Sequence, residues 1–345
     1  MNLSLDYSGN MLGKYCLLQK LGNGSFGSVY KALDTVLNEE KTIKILEVTD
    51  PKEALKLFNE ASIPRKCWHN NIIKINGGEL IETNCGLVFV VDMELVKGES
   101  VDSLLKHSYL SVIECLNIMK QILFAVEYSH LNGIIHRDIK PANILMDNDI
   151  PKLADFGLST SLGNVITPWR WYCTHAAPET FINNSVATVK TDIFALGMTM
   201  YRMENSIPDW ESFLNNIPNA ENLIKNGNLI DILPLCHFVP LRVHKIVKKA
   251  CKKNPGERYS SASEMRNAIE KLIPLYNWKI VETDHWQGFA QGHPQKEIYI
   301  NIDKSSYKVV VTNNGRKSSQ DSNCFSNLSQ AQQYMLNYIR ETTLQ

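Results

Sequence analysis

Three side chains that could carry metal and phosphate chemistry, Asp138, Asn143 and Asp155, lie close together in the sequence. Between Asn143 and Asp155 lie two short runs rich in apolar residues, 144–146 and 152–154. The turn-forming cluster Asp147–Asp149 separates them. This pattern predicts a β-hairpin whose open end brings Asn143 and Asp155 together, with Asp138 in the loop that leads into it. Oxygen ligands of this kind suit a hard cation such as Mg²⁺, which proteins hold with one or two carboxylates beside substrate phosphates.

The stretch His136–Asn143 (His-Arg-Asp-Ile-Lys-Pro-Ala-Asn), followed by Asp155–Gly157 (Asp-Phe-Gly), resembles the catalytic and metal-binding loops of the eukaryotic-type (Hanks-type) protein kinases. The resemblance covers roughly residues 12 to 273 and is specific, because several motifs occur in the order that the family has. It implies an α+β, bilobal protein-kinase fold, with a β-rich N-lobe (12–96) and a mainly helical C-lobe (97–273). An N-terminal extension (1–11) precedes this domain, and a small α+β appendage (274–345) follows it.

The resemblance assigns chemical roles to the loop residues. Asp138 would accept or orient the proton of the substrate hydroxyl, and Lys140 would neutralise the transferred phosphoryl group. In this family a lysine at that position accompanies serine/threonine specificity. Asn143 and Asp155 would hold the metal ions, so the implied cofactors are ATP and Mg²⁺, with Mn²⁺ as a substitute.

A glycine-rich stretch over residues 21–27 lies between two strand-like runs. Glycines let a backbone approach phosphates closely, and exposed N–H groups attract their negative charge. The pattern alone fits a dinucleotide-binding turn equally well, but such a turn opens a helix within a βαβ unit. Here the strand-like run Val29–Ala32 follows, which favours the phosphate-covering loop of a kinase.

The resemblance also outlines an ATP pocket. Lys44 would bind the α- and β-phosphates, and Glu60 on a following helix would be its partner. Met93 would close the back of the adenine pocket, while Glu94 and Val96 would offer backbone hydrogen bonds to the base. The implied ATP-binding residues are Leu21, Gly22, Asn23, Gly24, Ser25, Phe26, Gly27, Val29, Thr42, Lys44, Met93, Glu94, Val96 and Leu145.

The segment 158–176, closed by Ala177–Glu179 (Ala-Pro-Glu), resembles an activation loop. Arg137, directly before Asp138, could bind a phosphate on this loop through two hydrogen bonds. Autophosphorylation is therefore expected in this segment. The candidate phosphosites, in order of preference, are Thr167, Thr160 and Thr174.

Three residues depart from the family pattern. Thr42 replaces the usual alanine above the adenine, and Pro64 stands where an apolar residue packs behind the helix that carries Glu60. Tyr172 replaces a threonine of the activation segment. Thr174 could take over that threonine's hydrogen bond to Asp138.

Several polar residues are expected to support the site rather than take part in the chemistry. Asp192 lies in a helix that is apolar nearly all round, so it needs buried partners, which the backbone of the His-Arg-Asp loop would supply. The family pattern pairs Glu179 with Arg258. His130 is expected to be a satisfied core histidine, and Asp102 a helix cap or a surface residue.

Composition places this chain of 345 residues among ordinary globular proteins, with 44% apolar residues. Its 36 basic and 36 acidic residues balance, so no net field favours nucleic acid or an anionic membrane. The eight cysteines are scattered without metal-ligand spacing, which indicates reduced thiols. With no signal peptide and no membrane span in the sequence, a cytoplasmic protein is expected, with protein substrates as partners.

The region after residue 274 predicts strands over 278–283, 297–302 and 306–312 and a helix over Leu328–Ile339. Trp278, Trp286 and Phe289 are expected in its core. It carries no catalytic constellation. A docking or regulatory role, with a partner bound through this appendage, is the hypothesis.

The leading interpretation is an active ATP-dependent protein serine/threonine kinase. The alternative is a pseudokinase that binds nucleotide or a partner without turnover. Retention of Lys44, Glu60, Asp138, Asn143 and Asp155 favours activity, because pseudokinases usually lose at least one of them. The compact layout also suggests, as alternative biology, a bacterial toxin–antitoxin or phage-defence kinase.

Overall fold

The computed structural model describes residues 6–24, 27–48, 68–84, 86–155, 160–161, 174–182, 185–303 and 306–345. Its first part is an antiparallel sheet with the strand order β1-β2-β3-β4-β6-β5. The strands are β1 (Met11–Leu12), β2 (Tyr15–Gly24), β3 (Gly27–Asp34), β4 (Glu39–Glu47), β5 (Ile75–Thr83) and β6 (Gly86–Met93). Among the residues singled out above, several lie outside the described ranges: Ser25, Phe26, Glu60, Pro64, Phe156, Gly157, Thr167 and Tyr172.

Alternation of side chains along the strands builds the core of this sheet. In β3, Tyr30 and Ala32 are fully buried, and in β4 the same holds for Ile43 and Ile45. Successive side chains of a strand point to opposite faces, so these residues line one packed face. The strand β6 instead buries Val88, Phe89 and Val90 in succession, because it lies inside the sheet with cores on both faces.

The second part is mainly helical. Its helices are α1 (Val101–His107), α2 (Val112–Leu131), α3 (Val189–Glu204), α4 (Trp210–Asn215), α5 (Ala220–Lys225), α6 (Leu229–Ile232), α7 (Leu241–Ala250) and α8 (Ala262–Glu270). A capping box of Ser111 and Glu114 begins α2, and Gly133, with φ of +74°, follows its end. The helix α3 is buried nearly all round, as the sequence predicted. Helix α8 packs against α2, and α7 packs against α3.

Short strands at the junction of the two lobes flank the loops that contain Asp138, Asn143 and Asp155. They are β7 (Ile134–Ile135), β8 (Ile144–Asp147), β9 (Ile150–Leu153) and β10 (Thr160–Ser161). The chain leading into β5 runs beside β9: the amide of Ile73 donates to Leu153 O, and that of Leu153 donates to Asn71 O. These bonds join the small lobe to the hairpin of the large lobe, so both contribute to one cleft.

The C-terminal region is a separate sheet with one helix. It consists of β11 (Asn277–Glu282), β12 (His285–Phe289), β13 (Lys296–Asp303), β14 (Ser306–Asn313), β15 (Arg316–Lys317), β16 (Asn323–Phe325) and α9 (Leu328–Thr343). The three strands and the helix predicted from the sequence are present, whereas β12 and the short strands β15 and β16 were missed. Trp278 and Trp286 are buried as expected, but Phe289 is 46% exposed, which corrects its assignment to the core.

This appendage is firmly attached to the large lobe. The ring of Trp286 packs against Tyr109, with 5.1 Å between ring centroids, and against Phe238 at 5.6 Å. Lys279 forms an ion pair with Glu114 at the start of α2. Leu344 is 4% exposed and belongs to the core of the large lobe. Residues beyond 274 therefore contribute to the packing of the kinase-like part.

None of the helices within the described ranges is both long and apolar enough to cross a membrane.

Candidate active site

The hairpin predicted around the catalytic loop is formed by β8 and β9. Ile144 pairs with Leu153 and Asp147 with Ile150, so the turn is at Asn148-Asp149, and Asn148 has a φ of +54°. The amide of Ala154 donates to Asn143 O at 2.8 Å. Because Asp155 follows Ala154 directly, the hairpin brings Asn143 and Asp155 to the same open end.

Asp138 lies at the centre of the loop and is 6% exposed. Its Oδ2 accepts hydrogen bonds from Asn143 Nδ2 at 2.9 Å and from Lys140 Nζ at 2.9 Å. Asn143 Nδ2 also donates to the backbone oxygen of Asp138 at 2.7 Å. Both bonds use the side-chain nitrogen Nδ2 of Asn143. The side-chain oxygen Oδ1 is therefore the atom of this residue that could bind a metal ion.

Lys44 connects the small lobe to the end of the hairpin. Its ammonium group, on β4, lies 2.5 Å from Asp155 Oδ1, and the lysine is 6% exposed. Asp155 has a φ of +61°, in the left-handed region that only a well-supported loop maintains for a residue with a side chain. Glu60, the predicted partner of Lys44, lies outside the described residues, so the ion pair that the structure gives to Lys44 is the one with Asp155.

The glycine-rich stretch forms the hairpin between β2 and β3, with Gly22 opposite Val29 and Gly24 opposite Gly27. A Cβ atom on Gly27 would lie 2.1 Å from the backbone oxygen of Ile45. This glycine is therefore required by the close approach of β4. The strand that follows the glycines agrees with the kinase interpretation of the motif and not with a βαβ turn.

The hinge between the lobes begins at Met93, which pairs with Thr42 across β6 and β4. The amide of Glu94 donates to Lys74 O at 3.0 Å, so only its carbonyl could serve an adenine base. The carboxylate of Glu94 accepts from the amide of Lys74 at 2.8 Å and from Lys152 Nζ, on β9, at 2.7 Å. Sequence reasoning missed this bridge, since nothing in the sequence places Lys152 opposite the hinge.

Asp192 fixes the backbone of the catalytic loop, as predicted. Its Oδ2 accepts from the amide of His136 at 2.8 Å, and its Oδ1 accepts from the amide of Arg137 at 2.9 Å. His130 Nε2 donates to Oδ2 at 2.9 Å. Burial alone would raise the pKa of Asp192, but the hydrogen bond and charge of His130, together with the Arg137 amide, hold that pKa below its ordinary value.

His136 is a neutral packing residue of the loop. Burial lowers its pKa. Its Nε2 donates to Ala154 O at 3.0 Å, and its Nδ1 accepts from the amide of Asp138 at 3.3 Å. One nitrogen donates and the other accepts, which the neutral ring can do and the charged ring cannot.

The contacts of Thr174 correct one expectation. Its Oγ1 accepts from Trp210 Nε1 at 2.9 Å and lies 3.0 Å from His175 Nδ1. The threonine is therefore held by α4, and the predicted hydrogen bond to Asp138 is wrong. Thr160, another predicted phosphosite, lies in β10 opposite Ile135.

The pairing of Glu179 with Arg258 is confirmed. Arg258 Nη1 and Nη2 donate to Glu179 Oε1 and Oε2 at 2.7 and 2.8 Å, a bidentate ion pair. Asp102 was predicted as a cap or a surface residue, and this is wrong. Ser100 caps α1, while Asp102 accepts from Arg202 Nη1 at 2.5 Å. Arg202 interrupts the apolar pattern of α3, so the sequence shows a buried arginine that needs an acidic partner. Asp102 is that partner.

The whole arrangement defines a two-lobed fold whose cleft gathers the oxygen ligands and Lys44. The solved kinase domain of PknI from Mycobacterium tuberculosis has the same fold: it superposes with a TM-score of 0.57, at 20% identity, over 77% of this chain and 98% of that one. The α+β bilobal kinase fold with a C-terminal appendage, predicted from the sequence, is confirmed.

The chain belongs to the protein kinase domain family, which matches residues 15–269. It is 28% identical over 282 residues to the serine/threonine-protein kinase PknH of Mycobacterium bovis, covering 77% of this chain and 45% of that relative. It is 32% identical over 272 residues to the serine/threonine-protein kinase PrkC of Bacillus subtilis, covering 75% of this chain and 40% of the relative. The chain thus spans less than half the length of these relatives.

Proposed function

We propose that this chain is a protein serine/threonine kinase that transfers the γ-phosphoryl group of Mg-ATP to hydroxyl groups of proteins. The observation that carries this proposal is the convergence of Asp138, Asn143 and Asp155 at the open end of one hairpin, with Lys44 bound to Asp155. Family membership and relatives named as serine/threonine-protein kinases support the substrate class. Lys140 next to Asp138 supports it too, because the family pairs lysine at that position with serine and threonine substrates.

Asp138 orients the substrate hydroxyl and accepts its proton as the oxygen attacks phosphorus. A carboxylate is a weak base, so its contribution depends on its position, which Asn143 and Lys140 hold at 2.9 Å each. The ammonium group of Lys140 is bonded to Asp138 Oδ2, and it would neutralise the phosphoryl group during transfer. Positioning and charge stabilisation are the main contributions that phosphoryl transfer requires of a protein.

The donor set fits a divalent ion. Asn143 has its side-chain oxygen left after its nitrogen has made two bonds, and Asp155 supplies a carboxylate at the mouth of the hairpin. Asn143 and Asp155 would hold Mg²⁺, which would supply positive charge against the phosphates of the nucleotide. Lys44 would exchange part of its contact with Asp155 for the phosphates, and the β2–β3 hairpin would cover them.

Other assignments accompany this proposal. Autophosphorylation is proposed at Thr167 first and then at Thr160. Thr174, the third candidate from the sequence, has its hydroxyl bonded to Trp210 and His175, which argues against its modification. Substrates are proposed to be cytoplasmic proteins and neither nucleic acid nor a membrane, since the balanced charge gives no net field that favours these two. The appendage is proposed as a docking region for a partner.

Replacing Asp138 by Asn tests the central claim. Transfer of ³²P from labelled ATP to an acceptor protein, with Mg²⁺ present, should fall by orders of magnitude, because the group that orients the hydroxyl is lost. ATP affinity, measured by calorimetry, should stay near that of the original chain. Asp149→Asn is the matched control, since Asp149 lies exposed in the turn of the same hairpin and should tolerate the change.

Equal turnover in Asp138→Asn and in the unaltered chain would overturn the assignment of Asp138. An unaltered chain that binds ATP without transferring phosphate would instead favour the pseudokinase alternative.

A further inference from the structure

The helix α7 and the turn that follows it carry an unbalanced positive charge. Residues 241–257 contain six basic residues and one acidic residue, Glu257, although the chain as a whole is balanced. The apolar side chains of α7 are buried in the core of the large lobe. The opposite face of the helix therefore presents the basic residues to solvent.

Four of the six basic residues are exposed lysines, here called the lysine surface: Lys245, Lys248, Lys252 and Lys253. None of the four has an ion-pair partner within the described ranges of the chain. The other two basic residues are already bound, since Arg242 donates to Gln345 O and Lys249 pairs with Glu264 at 2.8 Å. The lysine surface is thus a set of charges that the fold itself does not neutralise.

The spacing of these lysines makes them repel one another. Residues three and four apart on a helix are neighbours, so Lys248 lies between the charges of Lys245 and Lys252. On α5, by contrast, Lys225 pairs with Glu221 one turn away. The sequence of α7 contains no acidic residue that could do the same. An anion bound from outside would relieve this repulsion.

The turn at the end of α7 is held rigid by a buried arginine. Arg258 Nε donates to Lys252 O at 2.7 Å, and its Nη2 donates to Lys253 O at 3.1 Å. The same guanidinium group forms the bidentate ion pair with Glu179. Because this group is 3% exposed and fully engaged, the backbone that carries the two lysines has a fixed position.

The lysine surface borders the Ala-Pro-Glu end of the segment that resembles an activation loop. A Cβ atom on Gly227 would lie 2.8 Å from Pro178 Cγ and 3.3 Å from Lys253 Cγ. The side chains of Pro178 and Lys253 therefore lie on either side of Gly227. The positive surface is continuous with a part of the large lobe that the kinase-like sequence pattern defines.

We propose that the lysine surface binds an acidic segment of the protein substrate, separate from the residue that receives the phosphate. This inference rests on the proposed kinase function. Lys245 and Lys252 are seven residues apart, which is about 10 Å along a helix and the length of three or four extended residues. The segment that fits this surface therefore has at least three or four acidic residues in succession.

The chemistry of the surface favours a protein over other anions. A helix that lies on a membrane inserts its apolar face into the lipid, and the apolar face of α7 is buried in the core of the large lobe. Single-stranded nucleic acid is held by stacking on aromatic rings, and residues 241–257 include no Phe, Tyr or Trp.

Direct binding of an acidic peptide gives the first test. The probe is fluorescein-labelled hexaglutamate, and its affinity for the full chain is measured by fluorescence anisotropy. In the four-lysine variant (Lys245→Gln, Lys248→Gln, Lys252→Gln and Lys253→Gln), affinity should fall roughly tenfold, because four exposed charge contacts are lost. Raising the salt from about 50 mM to about 300 mM should weaken binding to the unaltered chain, since salt screens exposed charges.

Phosphate transfer to two acceptors gives the second test. Dephosphorylated casein is acidic, and myelin basic protein is not. In the four-lysine variant the KM for casein should rise roughly tenfold, whereas the KM for myelin basic protein should not rise. The KM for ATP should stay within about twofold, because none of the four lysines belongs to the nucleotide cleft.

Two further variants serve as controls. The first removes the same number of charges at exposed lysines elsewhere: Lys225→Gln, Lys271→Gln, Lys308→Gln and Lys317→Gln. It should leave the casein KM and the hexaglutamate affinity unchanged. The second replaces the lysine surface by arginine at all four positions, which preserves the charge and should preserve both quantities. Thermal unfolding shows that each variant is folded.

An unchanged KM for casein in the four-lysine variant, with an unaltered chain that phosphorylates both acceptors, overturns this inference and leaves the kinase function intact. An equal rise in the control at the other four lysines also overturns it, because the effect would then be one of net charge. Tighter binding of a duplex oligonucleotide or of phosphatidylserine vesicles than of hexaglutamate overturns the assignment to a protein. An unaltered chain that phosphorylates neither acceptor overturns both proposals.

Discussion

The two ends of α3 each bury a carboxylate beside a histidine, yet the two sites differ. Asp192 in the first turn and Glu204 at the last residue are both fully buried. His130 Nε2 lies 2.9 Å from Asp192 Oδ2, and His244 Nδ1 lies 2.8 Å from Glu204 Oε1. Burial and the type of partner are therefore matched between the two ends.

The number of hydrogen-bond donors separates them. Asp192 accepts from two backbone amides in addition to His130, and these amides belong to the catalytic loop. Glu204 has His244, and its Oε2 has no hydrogen-bond partner within the part of the chain that the structure describes. The helix dipole adds to the difference, because the start of a helix favours negative charge and its end disfavours it.

The consequence is a different charge state. Donors lower the pKa of Asp192 in spite of its burial, whereas burial raises the pKa of Glu204 to about 7 against the opposing effect of His244. Burial alone therefore does not decide whether a carboxylate is charged. The helix keeps a fixed charge at the end that holds the catalytic loop, and a group that readily takes a proton at the other end.

Asp192→Asn should have the largest effect. The amide group would turn one N–H donor toward a backbone amide of the loop, and a buried carboxylate that accepts three hydrogen bonds would be lost. We expect a loss of stability of about 3–5 kcal/mol in urea unfolding, as for other broken buried pairs. The rate of phosphoryl transfer should fall on the order of 100-fold, because the loop that carries Asp138 would shift.

Glu204→Gln is the control for this change at the other end of the helix. It should leave the transfer rate near that of the unaltered chain, since Glu204 makes no hydrogen bond to the catalytic loop. A similar loss of rate in both variants would show that the two ends are functionally alike and would contradict the comparison.

The contacts at the two ends of α3 differ in how far the sequence predicts them, because a recognisable motif occurs at one end only. The backbone partners of Asp192 were predicted, because the helix pattern showed a buried carboxylate and the His-Arg-Asp loop could supply the amides of His136 and Arg137. The contact of His130 with Asp192 was missed. Glu204 and His244 were missed. They are separated by forty residues without a motif, and only packing of α7 against α3 brings them together.

The other contacts of the site divide in the same way between those that the sequence predicts and those that it does not. The hairpin around Asn143 could be predicted because turn chemistry fixes it, and the ion pair of Glu179 with Arg258 because the family pattern implies it. The contact of Thr174 with Trp210 could not, since no motif relates these two residues and only the packing of α4 brings them together. Sequence patterns gave local structure and family contacts, whereas contacts special to this chain required its three-dimensional packing.

The pH dependence of stability tests whether Glu204, unlike Asp192, takes up a proton in the folded protein. Its pKa in the fold is about 7, above the value near 4.5 of an ordinary glutamate. Between these two values the folded state holds a proton that the unfolded chain has released, so stability falls as pH rises from 4.5 to 7. Above pH 7 this contribution is lost, and the change amounts to at most about 3 kcal/mol.

Glu204→Gln should remove this dependence, because glutamine resembles the protonated carboxyl and has no charge to gain. Urea unfolding at pH 5 and at pH 8 would compare the two proteins. We expect equal stability at pH 5 and a more stable variant at pH 8. A variant that is less stable at pH 8 would mean that Glu204 is held as a stabilised anion, as Asp192 is.

The smallest expected effects come from the two histidines, and they test whether the number of donors is the cause of the difference. His130→Phe leaves Asp192 with two backbone donors, so stability should fall by about 1–2 kcal/mol and the transfer rate should fall only a few-fold. His244→Phe removes the hydrogen-bond partner of Glu204, so its carboxyl should stay protonated to higher pH, with the transfer rate unchanged. Unfolding in urea between pH 5 and pH 9 and initial rates of phosphate transfer measure both variants. If His130→Phe abolished transfer as fully as Asp192→Asn, His130 rather than the two amides would hold the carboxylate in place, and the number of donors would not be the cause of the difference between the two ends.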